Sequence, residues 1–209
     1  MAAIWEIPTN MPLFTIATVA RASGVAAATI RMWMQRGHLA LSSDDSKGHA
    51  SGAATKFTFR SVMMITVMGE LVRMGETPRD AFEAVEHWMT QGVLEGQYGA
   101  PARREGGGLF PQPFLTYLIA GTQGAPKVHG FPCHIVGIDP KGDASHNKLF
   151  GALFAGARPS AKVIQLNLLD QQVKQICMDA ILRTDRYSKE ADWNEIVEDL
   201  LAADAAKAQ

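Results

Sequence analysis

The sequence has few cysteines, no long apolar run and no excess of charge of either sign. Cys133 and Cys177 are too few for a disulfide scaffold, and no stretch of about 18 consecutive apolar residues is present that could cross a bilayer. The N-terminus lacks the basic region, apolar run and cleavage site of a secretory signal. With 47% hydrophobic residues among 209, the chain can still build a sizeable core. These features predict a folded cytoplasmic protein with reduced thiols.

Sequence signatures of catalysis are also missing. There is no glycine-rich loop with a lysine that would cradle a phosphate, no nucleophile elbow, no HExxH zinc motif and no pair of carboxylates in an apolar setting. The sequence therefore predicts a protein that is not an enzyme. Because the formal net charge is −1, a nucleic-acid-binding surface would require local clustering of basic residues.

Charge and composition differ between regions of the chain. Residues 1–62 hold six basic and three acidic side chains, a local charge of +3, whereas residues 190–204 hold six acidic side chains and no basic one. The stretch GQYGAPARREGGG at residues 96–108 is rich in glycine and proline and offers little to bury. We therefore predict a flexible linker over residues 96–108, between a first domain at residues 11–95 and a second at residues 109–209.

Two short amphipathic helices with a tight turn between them are predicted near the N-terminus. Thr15 is placed to cap a first helix, Ile16 to Ala22, and Gly24 ends it because glycine tolerates the positive φ of a tight turn. The small Ala20 would let the two helices cross closely. A second helix follows from about Ala26 to Arg36, and its inward stripe consists of Ile30, Trp33 and Met34. The spacing is typical of a helix-turn-helix, with a purely structural helical hairpin as the alternative.

The outward face of the second helix suits duplex DNA. Ala27 and Ala28 permit close approach to the floor of a groove, and Thr29 and Arg31 have donors that reach bases or phosphates. Gln35 suits the backbone further along the groove. The residues of the helix pair predicted to contact DNA are Thr18, Arg21, Ala27, Ala28, Thr29, Arg31, Met32, Gln35 and Arg36.

A loop of the size of a wing follows. Gly37 ends the second helix, and the polar stretch from Ser42 to Thr55 predicts a β-hairpin whose return strand presents Lys56 to phosphate. The wing and the start of the next helix complete the predicted DNA-binding residues with Thr55, Lys56 and Arg60. The two helices predicted behind the wing are Phe59 to Met74, capped by Thr58, and Pro78 to about Gln91, capped by Thr77.

Residues from Phe14 to about Trp88 resemble the winged helix-turn-helix domain of the MerR family of bacterial transcription regulators. The matching stretches are FTIATVARASGVAAATIRMWMQRGHL and KFTFRSVMMITVMGELVRMG. The family's recognition helix carries a Thr-apolar-Arg-aromatic-aromatic run, which corresponds to residues 29–33 here except that Met32 replaces the first aromatic. The family's wing ends in an aromatic followed by Ser or Thr, as at residues 57–58. Its usual arginine two positions earlier is replaced by Thr55, which leaves Lys56 as the wing cation.

The resemblance implies a sequence-specific, DNA-binding transcription regulator of bacterial or prophage origin, with double-stranded DNA as its partner. The long antiparallel coiled coil by which family members usually dimerise is absent, since the helix from Pro78 stops before Gly92 and Gly96. Dimerisation by the family route is therefore not predicted. The same type of domain occurs in phage excisionases and small terminase subunits. An architectural or DNA-packaging factor, similar to an excisionase or a small terminase subunit, is therefore the alternative.

The C-terminal half is predicted to be a small α/β unit, which makes the chain α+β overall. Its predicted elements are a short buried helix at 114–120, strands at 134–139 and 163–167, and helices at 148–155 and 170–182. Strands that alternate with helices favour a β-α-β-α unit with parallel strands and a right-handed crossover. Cys177 lies on the inward stripe of its helix and is predicted to be a core residue.

A last amphipathic helix is predicted from Trp193 to about Ala206. Its apolar face includes Trp193, Ile196 and Leu200, and its opposite face is acidic. We predict that this face binds a protein partner or supports self-association of the C-terminal unit. Packing of the same face onto its own domain is an equal alternative.

Residues 134–167 are faintly similar to the opening strand, histidine loop, helix and second strand of the cobalamin-binding domain that several MerR-like regulators carry. The similarity would make His146 the cobalt ligand. The family loop has an acid two residues before the histidine and a glycine three residues after it, where Ala144 and Leu149 stand here. The later strands and the glycine-rich turn are missing, and half of such a domain cannot enclose a corrin ring. We therefore predict no cofactor, with a cobalamin- or ligand-sensing regulator as a further alternative.

No metal site is predicted from the other soft or imidazole ligands. Cys133 and His134 are adjacent, and neighbouring residues on a strand point to opposite faces of a sheet, so the two could not hold one ion there. Met63, Met64, Met68 and Met74 recur at helical spacing among aliphatic neighbours, which favours core or dimer packing over a metal site.

Overall fold

The computed structural model describes residues 7–46, 54–97, 100–121, 132–142 and 161–183, together with Glu198 and Ala202. The elements in these ranges are β1 (Phe14–Thr15), α1 (Ile16–Ser23), α2 (Ala27–Gln35), β2 (Lys56–Phe57), α3 (Phe59–Arg73), α4 (Pro78–Thr90), β3 (Leu115–Gly121), β4 (Cys133–Ile138), β5 (Ala161–Gln165) and α5 (Leu166–Leu182). Helices beside small antiparallel sheets confirm the α+β class. None of the described helices combines the length and the apolar character needed to cross a bilayer.

The helices of the N-terminal half begin where the sequence predicts them to begin. Thr15, Thr58 and Thr77 are the N-caps of α1, α3 and α4, and each threonine hydroxyl accepts a hydrogen bond from the backbone N–H three residues later. Gly24 ends α1 with a φ of 65°, in the left-handed region. The bounds of α2 lie within the predicted span of about 26 to 36. These boundaries confirm the helix-turn-helix pattern.

The helix α3 forms the centre of the N-terminal half. Eleven of its 15 residues are buried, because α1, α4 and α5 all pack against it. Met63, Met64 and Met68 lie in this core, as their spacing predicts, whereas Met74 at the end of the helix is 41% exposed.

The C-terminal half contains a three-stranded sheet in which β3 lies between β4 and β5 and pairs antiparallel with both. The parallel pairing that we predict is not found, because β4 and β5 run in the same direction but are separated by β3. The segment predicted as a helix at 114–120 is the strand β3. Leu118, Ile119 and Ala120 are all buried, so the alternation typical of a strand is missing, and a short apolar run cannot be told from a buried helix by its periodicity.

The other predicted C-terminal elements fall partly within the described residues. The strands β4 and β5 overlap the predicted strands at 134–139 and 163–167, and α5 begins four residues before the predicted start at residue 170. The predicted helix at 148–155 lies outside the described residues. The same holds for the last predicted helix apart from Glu198 and Ala202, both of which are helical.

Both halves of the chain contribute to one hydrophobic core. α5 packs against α1 and α3, and α4 packs against β4. Val173, Cys177 and Ile181 of α5 are buried in the same cluster as Val19 of α1 and Ile65 of α3. This burial confirms the predicted core position of Cys177. The division into domains at 11–95 and 109–209 stays a prediction, and the described parts of the two are in direct contact.

The stretch predicted as a flexible linker is packed against the end of α4. Arg104 is only 2% exposed. Its guanidinium donates hydrogen bonds to three backbone carbonyls, those of Gln91 (2.6 Å), Glu105 (2.8 Å) and Gly108 (3.2 Å). Gly106 lies so close to α4 that a Cβ atom there would stand 2.5 Å from the carbonyl oxygen of Met89. Residues 104–108 are therefore tied to the end of α4, and the linker over residues 96–108 stays a prediction.

Candidate nucleic-acid interface

The crossing of α1 and α2 is set by the turn between them. The hydroxyl of Ser23 donates a hydrogen bond to the carbonyl of Val19 (2.8 Å) and accepts one from the N–H of Val25 (3.2 Å). Val25 packs against α3 at Gly69, where a Cβ atom would lie only 2.6 Å from Cγ2 of Val25. Ala20, which we expect at the crossing, is half-buried. Gly69 therefore lets the turn between α1 and α2 approach α3 closely, a contact to which the pattern of the helix pair does not point.

The helix α2 has one buried side and one exposed side. Ile30 and Trp33 are 0% and 2% exposed, which confirms the predicted inward stripe at these two positions. The exposed residues of the helix and its C-cap are Ala28, Arg31, Gln35 and Arg36, and the half-buried ones are Ala27, Thr29, Met32 and Met34. Arg31 and Gln35 are four residues apart, so they lie one turn from each other on the same face. This arrangement leaves the face that carries Arg31 open to a partner.

The charge around this face is of one sign. Between Ile7 and Ser43 the sequence has no aspartate or glutamate, whereas Arg21, Arg31 and Arg36 are basic. Arg31 and Arg36 are both exposed. A protruding helix with arginines and without carboxylates attracts a polyanion such as duplex DNA.

The two ends of the predicted wing meet at its base. Ser46 and Lys56 form an antiparallel bridge in which each N–H donates to the carbonyl of the other residue, both at 3.0 Å. On the other edge of this strand, Lys56 pairs with Thr15, the residue that caps α1. The backbone of Lys56 is therefore fixed beside the first helix of the pair. Thr55 and Lys56 are half-buried, and the tip of the wing, residues 47–53, lies outside the described residues.

Three residues predicted to contact DNA have side-chain partners within the protein. The hydroxyl of Thr18 lies 3.2 Å from the hydroxyl of the cap Thr15. Arg21 is exposed, and its Nη2 donates a hydrogen bond to the carbonyl of Ile176 on α5 at 3.2 Å. Arg60 is half-buried, and its Nη2 donates a hydrogen bond to the carbonyl of Met89 near the end of α4 at 2.6 Å. The guanidinium groups of Arg21 and Arg60 thus contact other elements, whereas those of Arg31 and Arg36 have no hydrogen-bond partner among the described residues.

The sheet register places the two adjacent candidate metal ligands apart. Cys133 lies opposite Ala120 and His134 opposite Ile119, so their side chains are on opposite faces of the sheet. The thiol of Cys133 donates to the carbonyl of Ala84 at 3.2 Å. Burial raises the pKa of Cys133 and of Cys177 to about 12, so both thiols stay protonated and inert at neutral pH. Within the described ranges, no three His, Cys, Asp or Glu side chains are grouped to hold a metal ion.

The remaining candidate residues of the C-terminal half lie outside the described residues. They are the weak metal candidate His146 and the predicted partner-binding residues Trp193, Ile196 and Leu200. Their roles stay predictions.

A helix pair with a tight turn, an exposed basic second helix and a hairpin base beside it define a winged helix-turn-helix domain of the DNA-binding type. Residues 14–86 match the family described as MerR HTH family regulatory protein, which confirms the resemblance over this part of the chain. The match ends within α4 and covers about a third of the sequence. No curated protein matches the sequence. The N-terminal part is therefore a DNA-binding domain of the kind that transcription regulators carry.

Proposed function

We propose that the protein is a sequence-specific transcription regulator that inserts α2 into the major groove of duplex DNA. The observation that carries the proposal is the exposure of Arg31 on a helix whose opposite side is fully buried. An α-helix fits the width of the major groove, and a helix-turn-helix places its second helix there. The MerR-type match of residues 14–86 supports the same placement.

The exposed side chains divide by the contact that each can make. Arg31 has the paired donors that fit the edge of a guanine, and Gln35 has the donor and acceptor that fit an adenine. Arg36 beyond the end of α2 and Lys56 on β2 suit phosphates on either side of the groove. The small Ala28 leaves the backbone of α2 free to approach the bases.

We further propose that a single copy binds DNA weakly. The local charge of +3 over residues 1–62 supports few phosphate contacts, because each neutralised phosphate needs a basic side chain. A second copy or a protein partner would raise the apparent affinity by joining two weak contacts. The C-terminal half, including the apolar face around Trp193, is the region that we propose for that contact.

The test is a selection of bound fragments from random and genomic duplex DNA, followed by titrations across a salt series. We expect Arg31→Ala to lower the affinity for the selected duplex about tenfold and to relax the preference for one base, because a bidentate contact to a base is lost. Gln35→Ala should relax the preference at a neighbouring base.

The matched control is Arg79→Ala, which removes another exposed arginine, at the start of α4. We expect the control to retain the affinity and the base preference of the parent protein. Equal effects of Arg31→Ala and Arg79→Ala would show that only overall charge matters and would overturn the assignment of α2 to the groove.

A further inference from the structure

Asp45 is a buried carboxylate at the base of the wing. It is only 6% exposed, although Ser43, Asp44 and Ser46 around it are exposed. Burial of a carboxylate is costly unless hydrogen bonds replace its water. Its environment therefore has to supply several donors.

Three donors from different parts of the chain reach this carboxylate. The N–H of Ser42 donates to Oδ2 (2.8 Å), the N–H of Thr58 donates to Oδ1 (2.7 Å), and the hydroxyl of Ser61 donates to Oδ2 (2.6 Å). Hydrogen bonds to an ionised acceptor are stronger than those between neutral groups. Both oxygens of Asp45 are therefore engaged by charge-assisted hydrogen bonds.

These bonds join the entry of the wing, the exit of the wing and the first turn of α3. Ser42 lies at the entry, Thr58 is the cap of α3, and Ser61 lies within the first turn. The N-terminus of a helix also favours a negative charge, because its N–H groups are not bonded within the helix. The carboxylate thus ties the loop to α3, the most buried helix of the N-terminal half.

Asp45 also helps to fix the position of Lys56, whose backbone pairs with Thr15 as well. Ser46 follows Asp45 directly and bridges Lys56, while Thr58, which donates to Asp45, lies two residues after Lys56. The backbone of Lys56 is therefore fixed on one side by the Ser46 bridge and just beyond by the bond from Thr58 to Asp45.

We propose that Asp45 is a positioning residue of the DNA-binding surface, which acts by holding Lys56 at a phosphate. The proposal rests on the proposed function, since it assumes that α2 and the wing bind one duplex. Asp45 would then strengthen the binding of DNA through Lys56, although its own negative charge repels the phosphates.

The substitution Asp45→Asn separates these two effects. The asparagine side chain has the same size as that of aspartate but places an NH₂ group at one of the two oxygen positions. If the amide oxygen keeps the bond from Thr58, the NH₂ group faces the N–H of Ser42, and two donors cannot bond to each other. The hydroxyl of Ser61 can reverse and accept. The entry of the wing is thus released, while the cap of α3 keeps its partner.

The matched control is Asp44→Asn, which removes the same charge at the neighbouring exposed position. Both variants are titrated against the tightest duplex of the selection and against a random-sequence duplex. We expect Asp44→Asn to bind as tightly as the parent protein or slightly more tightly, since one repulsive charge is removed. We expect Asp45→Asn to bind about three- to tenfold more weakly, because Lys56 is held less firmly and its phosphate contact is weakened.

A double-mutant cycle with Lys56→Ala distinguishes positioning from a general loss of stability. In the Lys56→Ala background, Asp45→Asn should weaken binding by less than about twofold, because the contact through which it acts is already absent. Ser61→Ala removes one donor without changing any charge. Ser61→Ala should weaken DNA binding less than Asp45→Asn does, and this loss of affinity should also disappear in the Lys56→Ala background. If Asp45→Asn does not fold, Ser61→Ala still tests the proposal.

Hydrogen exchange of the amides of Ser42 and Thr58 gives a readout without DNA. We expect faster exchange at Ser42 in Asp45→Asn and unchanged exchange in Asp44→Asn. If the parent protein binds and Asp45→Asn binds as well as Asp44→Asn, or if its loss persists in the Lys56→Ala background, the role of Asp45 is overturned while the proposed function stands. If the parent protein binds neither duplex, the proposed function fails, and this inference fails with it.

Discussion

The N-terminal helices begin at contacts between residues close in sequence, whereas the C-terminal sheet is held by contacts between residues far apart in sequence. Each of α1, α3 and α4 begins at a threonine whose hydroxyl binds an N–H three residues later, so the signal for each start lies within four residues. In the sheet, Leu118 pairs with Ile135 on one side and with Ile164 on the other, which are far away along the chain. The helix starts are therefore local features, whereas the sheet depends on the complete fold.

The two regions nevertheless share one core. Val173, Cys177 and Ile181 of α5 complete the packing of α1 and α3, while Arg31 on α2 stays exposed. The C-terminal half therefore packs against α1 and α3 and leaves the face of α2 that carries Arg31 exposed. Variants at the contacts between the halves can strengthen or break this interpretation.

The largest effect is expected at the ion pair between the halves. Nζ of Lys162 on β5 binds Oε1 of Glu76, in the turn between α3 and α4, and their side chains are only 12% and 6% exposed. We expect Glu76→Gln to lower the free energy of unfolding by about 3 kcal/mol, because the charge of Lys162 stays buried without a counter-charge. Urea unfolding of the full chain measures this change.

An exposed ion pair on α3 supplies the control. Glu70 pairs with Arg73, and their side chains are 31% and 45% exposed, so we expect Glu70→Gln to cost less than about 1 kcal/mol. The double variant Glu76→Gln/Lys162→Met should recover most of the stability, since it leaves no buried charge. Similar losses at Glu70 and Glu76 would contradict a close contact between the two halves.

A smaller effect is expected at the segment that joins the halves. Arg104→Ala should lower the free energy of unfolding by about 2 kcal/mol, because the carbonyl of Gln91 loses its donor and those of Glu105 and Gly108 each lose one of two donors. The neighbouring Arg103 has a side chain that is 71% exposed, so Arg103→Ala should change stability by less than about 0.5 kcal/mol. A flexible linker would give equally small effects at both arginines in the same urea experiment.

The sequence predicts the helices well and the sheet poorly, for a physical reason. Caps such as Thr58 act over three residues, and the exposed face of α2 follows from helical spacing. The strand β3 is hidden because Leu118 and Ile119 are buried on opposite faces, so its apolar run does not alternate.

The charged residues Asp45 and Arg104 are missed because they lie in polar stretches that read as loops. Their burial depends on partners that the local pattern does not reveal, such as Ser61 for Asp45 and Gln91 for Arg104. Sequence spacing also cannot tell an arginine that braces a helix, such as Arg60, from one that is free to contact DNA, such as Arg31.

The smallest expected effect is at Arg21, and it tests this last distinction. Its guanidinium donates one exposed hydrogen bond to Ile176, so we expect Arg21→Ala to lower the free energy of unfolding by about 0.5 kcal/mol. We expect its affinity for the selected duplex and the salt dependence of binding to stay within about twofold of the parent protein, whereas Arg31→Ala loses about tenfold. A fall in the salt dependence of Arg21→Ala by about one phosphate contact would instead place α1 on the DNA backbone. In that case the hydrogen bond to Ile176 on α5 would orient Arg21 towards DNA. The contact between the two halves and the DNA-binding surface would then share this residue.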